Sequence, residues 1–228
     1  MKSCYACNKH ATTREHVPPK CLFPEQKDLP ESVDLRQNLI TIPSCEEHNL
    51  IKSGNDEYLM YILAMNLSAN ATGAGHLRKV ARAIERRPKL INGLLKGKQS
   101  VLVIDDRTRE IYETDQINFD GARLQMILNL IAKGIYYYQY SKRWDGAIKV
   151  HPDFISYPHE SNASEVNKSM ATLAICSEKL FAEATLYGEN QEVFSYQILE
   201  PEEQYHFLMR FSFYGSCKVT AFFSKGNV

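Results

Sequence analysis

The 228-residue sequence contains no uninterrupted apolar run of the roughly 18 residues that a membrane-spanning helix needs. Its first residues, Met1 to Cys4, also lack the apolar run of a secretory signal. A glycine-rich phosphate-binding loop and a serine-nucleophile elbow are both missing, as are internal repeats and low-complexity tracts. We therefore expect a cytoplasmic protein with no membrane association, and we look for its chemistry outside those two motifs.

The formal net charge of the chain is zero, which argues against a protein covered in positive charge for nucleic acid. The charges are nevertheless unevenly placed. Residues 76–98 hold eight Lys or Arg residues against one Glu, whereas residues 150–205 hold ten acidic residues against two lysines. The basic stretch includes Arg78, Arg82 and Arg86, which share one face of a predicted helix. This face is predicted either to contact a phosphate backbone or to be an ordinary exposed helix surface.

The composition, 44% hydrophobic and 24% charged, is that of a globular protein with one large or two small domains. Residues 1 to about 53 contain little periodic hydrophobicity, and Leu39–Ile42 is the one convincing strand pattern among them. Such an irregular segment is not held together by burial alone. We expect it to need a staple such as a metal ion.

Two short motifs in this segment have the spacing of zinc ligands. Cys4 and Cys7 form a CxxC pair, and Cys45 and His48 form a CxxH pair after 37 intervening residues. A two-residue gap lets both side chains of a pair reach the same tetrahedral ion, so the sequence predicts a structural Cys3His zinc site. The alternatives are buried thiols beside a surface histidine, and His10 as a competing ligand.

Further residues stand in a fixed order around these two pairs. Glu15 and His16 precede Val17 and Pro18. Asn38 directly precedes the predicted strand, which begins at Leu39, and Asn49, followed by Lys52, comes directly after the second pair. This ordered set resembles the zinc-containing HNH (His-Asn-His) nuclease family, over residues 4 to about 57. The resemblance implies an N-terminal ββα-metal module, stapled by zinc, that hydrolyses phosphodiester bonds of DNA.

The resemblance also implies a role for each residue. His16 is expected to be the general base that activates water, Glu15 and Asn49 to hold a catalytic Mg²⁺ or Mn²⁺, and Asn38 to order the loop between the two strands. The zinc ligands are then Cys4, Cys7, Cys45 and His48. Two positions depart from the commonest pattern: Glu15 stands where Asp is more usual, and His48 where a fourth Cys is more usual. The second departure leaves open that His48 belongs to the active centre itself.

These residue types suit the chemistry on their own terms. Hydrolysis of a phosphodiester needs a deprotonated water on one side of phosphorus and stabilisation of a developing alkoxide on the other. Histidine titrates near neutrality and so accepts a proton at physiological pH. A hard divalent cation held by oxygen ligands stabilises the leaving oxygen. Since Glu15 and His16 are adjacent, in an extended segment they point to opposite sides, and one holds metal while the other faces water.

The same residues have ordinary structural interpretations too. A Glu-His pair in a loop is most often simply a piece of surface, and Asn49 is also a suitable helix cap. Asn55 is predicted to cap a helix over residues 56–66. Lys52, Asp56 and Glu57 are interpreted as a solvated helix start, with help in phosphate binding or in ordering the surroundings of the metal as the alternative.

The rest of the chain is predicted to be mixed α+β. Pro88 suits the first turn of a short helix, residues 101–104 and 110–114 form a predicted hairpin, and Asp120 caps an amphipathic helix. Alternating patterns at 194–198 and 205–213 indicate antiparallel strands. The tyrosines at 136–140 and Trp144 are interpreted as packing residues, with stacking on bases as the alternative.

We divide the chain into an HNH module, residues 1–68, and a helical linker with an α+β accessory region, residues 69–228. The accessory region is expected to bind DNA, a partner protein or a second copy of the chain. The leading hypothesis is a DNA endonuclease, with RNA not excluded as substrate and a role in phage defence or restriction by analogy with the family. The alternatives are a non-catalytic, zinc-finger-like nucleic-acid-binding module and a zinc-stabilised protein-interaction subunit.

Overall fold

A computed structural model describes residues 2–66, 80–86, 88–104, 110–156, 163–200 and 206–225. The elements are β1 (Thr13–His16), β2 (Thr41–Ser44), α1 (Glu46–Ala64), α2 (described at 80–86), α3 (Pro88–Leu95), β3 (Gln99–Ile104), β4 (Ile111–Gln116), α4 (Gly121–Tyr140), β5 (Ala147–Pro152), α5 (Ala163–Leu180), β6 (Phe194–Leu199), β7 (His206–Phe213) and β8 (Cys217–Ser224). Within the described ranges the strands form antiparallel sheets, β1-β2, β3-β4 and β5-β8-β7-β6. The predicted mixed α+β class with an antiparallel C-terminal sheet is confirmed.

The N-terminal part of the fold is a two-stranded hairpin followed at once by a long helix. In the hairpin, Glu15 lies opposite Ile42 and His16 lies opposite Thr41. β2 covers Thr41–Ser44 and not the predicted Leu39–Ile42, because the pairing with β1 and not the apolar run sets its register. Cys45 is the N-cap residue of α1, which therefore starts directly after the strand.

The start predicted for α1 was wrong. The helix begins at Glu46, ten residues before the predicted start, so Asn55 lies inside it and its Nδ2 donates a hydrogen bond to the Ile51 carbonyl at 2.8 Å. The first half of α1 bears few apolar side chains, while the buried run begins at Tyr58. Hydrophobic periodicity therefore reported only the second half of this helix.

α4 is the helix on which the hairpin packs. Its predicted cap is confirmed, since the Asp120 carboxylate accepts a hydrogen bond from the Arg123 amide at 2.9 Å, and its predicted apolar stripe is buried. Gly134 lies where the helix meets the hairpin: a Cβ at this position would be 2.7 Å from a Val17 methyl and 2.9 Å from an Ile42 methyl. The absence of a side chain therefore lets α4 approach β1 and β2 closely.

The C-terminal sheet packs one face against the end of α4. The Tyr136 ring contacts Trp144, Phe207 and Phe223 with centroid distances of 5.2 to 5.8 Å, so the tyrosine and tryptophan stripe contributes to packing, as predicted. β5 and α5 had no counterpart in the sequence prediction. The predicted hairpin of residues 101–104 and 110–114 is confirmed by the pairing of β3 with β4. Its turn, residues 105–108, lies outside the described residues.

The two predicted parts of the chain share one hydrophobic core, which includes Leu22 and Ile42 as well as α4 and the C-terminal strands. Polar contacts also join them: the buried Tyr214 hydroxyl donates to the Leu22 carbonyl at 2.7 Å, and Asn190 Nδ2 donates to the Gln37 carbonyl at 3.1 Å. The division at residue 68 stays a prediction. Among the described residues, no helix combines the length and the apolar character needed to cross a bilayer.

Candidate metal centre and active site

Four predicted zinc ligands meet at one point of the N-terminal segment. The ligand atoms of Cys4, Cys7, Cys45 and His48 all lie within 4.8 Å of one another. The Cys7 and Cys45 sulfurs are 3.8 Å apart, and His48 Nδ1 is 3.2 Å from the Cys45 sulfur and 3.9 Å from that of Cys4. With zinc–sulfur bonds of about 2.3 Å, a tetrahedral ion holds its sulfurs roughly 3.8 Å apart. This cluster could therefore bind a metal such as zinc.

The backbone brings the two pairs together from opposite sides. The first pair sits in a tight loop closed by the hydrogen bond from the Cys4 amide to the Lys9 carbonyl, 2.9 Å, and the Tyr5 amide donates to Pro43 in β2 at 3.0 Å. The second pair occupies the N-cap and first turn of α1. His10, the competing candidate, is exposed and lies outside the cluster. The ligand set therefore joins the N-terminal loop, the hairpin and α1.

Glu15 points into the protein and not into solvent. Its side chain is 2% exposed, and Lys52 Nζ lies 3.5 Å from Glu15 Oε1 while it also donates a hydrogen bond to the His16 carbonyl. The expectation that Lys52 and Asp56 lie at a solvated helix start was wrong. Both are inside α1, Lys52 is buried, and burial, with a further contribution from Glu15, raises the pKa of the Asp56 carboxyl to about 7.

These groups form a buried polar cluster between β1 and α1 that the sequence analysis missed. Within the described part of the chain, no hydrogen bond of ordinary geometry reaches either oxygen of Glu15, which is paired with the Lys52 ammonium, and the same holds for Asp56 Oδ1. Burial and the charge of Glu15 raise the pKa of the neighbouring Tyr5 hydroxyl. Asn49, Lys52 and Asp56 are three and four residues apart, which puts them on one face of α1 once the helix is known to start at Glu46. That spacing was the available signal.

Asn49 lies on the first full turn of α1, half-buried, and its amide donates to the Cys45 carbonyl at 3.1 Å. It is thus a helix residue and not the cap. Because Lys52 reaches β1 from the same helix face, Asn49 stands on the side of α1 that faces Glu15. A carboxylate oxygen and a side-chain amide oxygen are donor types that a Mg²⁺-class cation takes.

His16 lies on the other side of β1 from Glu15, as strand alternation predicted. Burial, followed by the ammonium groups of Lys20 and Lys52, lowers the pKa of its imidazole, so His16 is neutral near pH 7. Arg14 shares this face, and its guanidinium donates to the hydroxyl and carbonyl of Thr41 at 2.6 and 3.2 Å. Thr41 is the residue across from His16 in the hairpin, so the Arg14 guanidinium is held on the face of the hairpin that bears His16.

Asn38 immediately precedes the segment leading into β2 and has a positive φ of 52°. Asparagine tolerates this left-handed conformation better than most residues. The position is exposed and lies at the turn into Leu39 and Ile40. Its place in the loop between the two strands agrees with the predicted location, while the ordering role assigned to its side chain stays a prediction.

The predicted arginine face is only partly within the described residues. Arg78 lies outside them, Arg86 is exposed, and Arg82 contacts Asp28 at 2.5 Å and Glu25 at 3.9 Å. The charge of Arg82 is therefore balanced within the protein. Its contact with nucleic acid stays a prediction that now requires exchange of an existing ion pair.

Comparison of this chain with protein-family models, with curated proteins and with solved structures finds no match.

Proposed function

We propose that this protein is a metal-dependent endonuclease of the HNH type that hydrolyses phosphodiester bonds of DNA. The observation that carries the proposal is the succession of hairpin and helix: Glu15 and His16 on β1, Asn49 on the first turn of α1, and a four-ligand cluster that joins the two. A metal bound at this cluster would fix the start of α1 against β1. The residues expected to act would then be held by elements that cannot shift independently.

His16 acts on water in this proposal. A neutral imidazole is the form that accepts a proton, and burial with two nearby lysines favours that form by lowering its pKa. Because His16 faces away from Glu15, the attacking water and the carboxylate lie on different sides of β1. Arg14 and Lys20 carry positive charge on the imidazole side, where they would hold the phosphodiester against His16.

Glu15 and Asn49 would hold the divalent cation. The burial of Glu15 and the lack of a hydrogen bond of ordinary geometry from the described residues to either of its oxygens support this assignment, since the Lys52 ammonium at 3.5 Å leaves part of the capacity of the carboxylate unfilled. A bound Mg²⁺ or Mn²⁺ supplies stabilisation of the negative charge that develops on the leaving oxygen. In the absence of the cation, Lys52 would neutralise the charge of Glu15. Because Lys52 lies on α1 and Glu15 on β1, the same contact would orient the carboxylate.

The test compares two histidines with matched chemistry. Zinc-loaded wild-type protein should nick supercoiled plasmid DNA with Mg²⁺ or Mn²⁺, and His16→Ala should lower the rate at least a hundredfold, because general-base catalysis contributes about 10² to 10⁴. His10→Ala, on an exposed position outside the cluster, should cut like the wild type. Equal cutting by the His16→Ala protein would contradict the mechanism.

One observation favours a second candidate, a zinc-stabilised module that binds nucleic acid without cutting it. The Lys52 ammonium already balances the charge of Glu15, so the carboxylate has a structural partner without any divalent cation. Under this alternative, DNA binding persists in Mg²⁺-free buffer and no divalent cation produces cleavage. The plasmid assay across Mg²⁺, Mn²⁺, Ca²⁺ and Co²⁺ separates the two candidates.

A further inference from the structure

A cavity of about 240 Å³ opens beside the hairpin that carries His16. Val17 and Pro18, the two residues after His16, form part of one wall together with residues 38–40. The Val17 amide donates to the Ile40 carbonyl at 3.0 Å, so this wall continues the β1-β2 pairing. The cavity therefore begins at the residue that directly follows His16 in the chain.

The opposite wall comes from the C-terminal region and is rich in aromatic rings. Tyr138, at the end of α4, lines the cavity with 50% of its surface exposed. Tyr187 and Tyr196 stack with their centroids 5.2 Å apart and their planes at 21°. The backbone at Gly188, with φ of +127°, passes so close that a Cβ there would be 2.7 Å from the Phe194 carbonyl oxygen. This wall therefore presents flat aromatic rings, of which Tyr187 and Tyr196 are held against each other.

In the part of the chain that the structure describes, the residues that line the cavity offer no positive charge for a phosphate, and they suit an uncharged ring better. Among the described residues that line it there is no Lys or Arg, and Glu189 is the one carboxylate. Three side-chain amides also line it, Asn38, Gln139 and Asn190. Gln139 Oε1 accepts a hydrogen bond from the Tyr196 hydroxyl at 3.4 Å and Asn190 Nδ2 donates to the Gln37 carbonyl, and each amide keeps further donor or acceptor capacity for a ligand. Aromatic stacking with a few directional hydrogen bonds is how proteins hold an unstacked nucleobase.

Positive charge lies outside the cavity, on the face of β1 that bears His16. Arg14 and Lys20 belong to this face or its continuation, while the aromatic and amide groups lie beyond Val17. A nucleotide presents the same arrangement, a charged phosphate joined to a neutral planar base. The two regions therefore match the two ends of one nucleotide, with the phosphate at His16.

We infer that the cavity receives an unpaired nucleobase adjacent to the phosphodiester at His16, so that the substrate is a single strand or a duplex with an unstacked nucleotide. The inference rests on the proposed function for the placement of that phosphodiester. A fully paired duplex keeps its bases stacked inside the helix, where the aromatic wall does not reach them. The ligand chemistry is the nucleobase, which both DNA and RNA carry.

The experiment measures binding separately from cutting. Zinc-loaded His16→Ala protein is titrated with fluorescein-labelled single-stranded DNA, single-stranded RNA and fully paired duplex DNA, and anisotropy gives each affinity. We expect a single strand to bind more tightly than the duplex, and the preferred sugar identifies the source. Adding Tyr138→Ala should weaken single-strand binding about five- to a hundredfold, the range for loss of one base stack, and Tyr138→Phe should not.

Met126→Ala is the matched control, since Met126 is also exposed on α4, at 40%, and away from the cavity. It should bind like the parent protein. Equal affinity for single strand and duplex, or no effect of Tyr138→Ala, would overturn the inference. If paired DNA is cut at the wild-type rate by the Tyr138→Ala protein but not by the His16→Ala protein, the inference is overturned and the nuclease proposal stands. If single-strand binding depends on Tyr138 but no DNA is cut, the nuclease proposal is overturned and the base-binding cavity stands.

Discussion

The ion pair between Lys52 and Glu15 lies almost wholly out of water, with 7% and 2% of the two side chains exposed. Removal of one partner from a buried pair leaves an uncompensated charge, which is far more costly than loss of a surface pair. The pair also ties α1 to β1, because the same ammonium hydrogen-bonds the His16 carbonyl. The Lys52–Glu15 pair therefore contributes both to the stability of the protein and to the position of His16.

We expect Lys52→Met to lower the free energy of unfolding by about 3 kcal/mol, because Glu15 would remain buried without its cation. The measurement is urea unfolding of the zinc-loaded protein. Lys98→Met, which removes an exposed pair with Asp115 at 2.7 Å, is the control and should change stability by less than about 1 kcal/mol. Adding Glu15→Gln to Lys52→Met should recover part of the loss. If the double variant is as unstable as the sum of the two single variants, the two side chains are not coupled.

At the scale of elements, the cluster of Cys4, Cys7, Cys45 and His48 joins the N-terminal loop to the start of α1, and a zinc ion bound there would hold hairpin and helix together. We expect about one zinc per purified chain, and Cys7→Ser should lower both zinc content and melting temperature, because a hairpin of two four-residue strands has too little core of its own. Cys176→Ser, at an exposed cysteine outside the cluster, should change neither. Full zinc retention by the Cys7→Ser protein would remove Cys7 from the ligand set.

Helix packing gives a second prediction at this scale. Ala normally stabilises a helix relative to Gly by about 1 kcal/mol. Gly134→Ala should instead destabilise the protein by about 1 kcal/mol or more, since the methyl group would overlap Val17 and Ile42. Gly93→Ala, in α3 with no atom within 4 Å of the added methyl group, should stabilise it by about 0.5 kcal/mol. Thermal or urea unfolding measures the sign of the stability change for each variant. A stabilising effect of Gly134→Ala would show that the hairpin shifts to make room for the methyl group.

The elements that the sequence predicted are those whose signals are local. The cap at Asp120 and the stripe of α4 need no knowledge of the rest of the chain, and the same is true of the alternation in β6 and β7. The start of α1 needs the hairpin as context, because its first two turns carry His48 of the candidate metal cluster and charged residues in place of an apolar stripe. Pattern reading therefore placed that helix ten residues late.

The candidate site divides in the same way. The CxxC and CxxH spacings are local, and the structure brings those four residues together as predicted. The burial of Lys52 against Glu15 depends on how α1 lies on β1, and the cavity beside His16 depends on residues 100 positions or more away. No spacing within the N-terminal segment encodes either of them. These features follow from the packing of the whole chain.

At the scale of the whole molecule, the N-terminal segment depends on the C-terminal region. The hairpin packs on α4, and Tyr214 hydrogen-bonds Leu22 across a buried contact. A fragment of residues 1–68 should therefore bind zinc but show no cooperative thermal transition and poor dispersion of its amide resonances, because the apolar faces of α1 and the hairpin would be exposed. The full-length protein in the same buffer is the reference. A sharp transition for the fragment would establish that residues 1–68 fold alone.

Because α4 covers Val17 and Ile42 at Gly134, these two residues of the N-terminal segment stay uncovered during translation until α4 has been made. The ribosome finishes the hairpin and α1 well before it reaches α4, so their apolar surfaces emerge without the helix that covers them. If zinc binds the cluster of Cys4, Cys7, Cys45 and His48, it could do so as soon as His48 has left the exit tunnel, and it would then keep this nascent segment compact until α4 is made. Slow translation between residues 64 and 121 would lengthen the interval in which a chaperone, or another nascent chain, meets that uncovered surface.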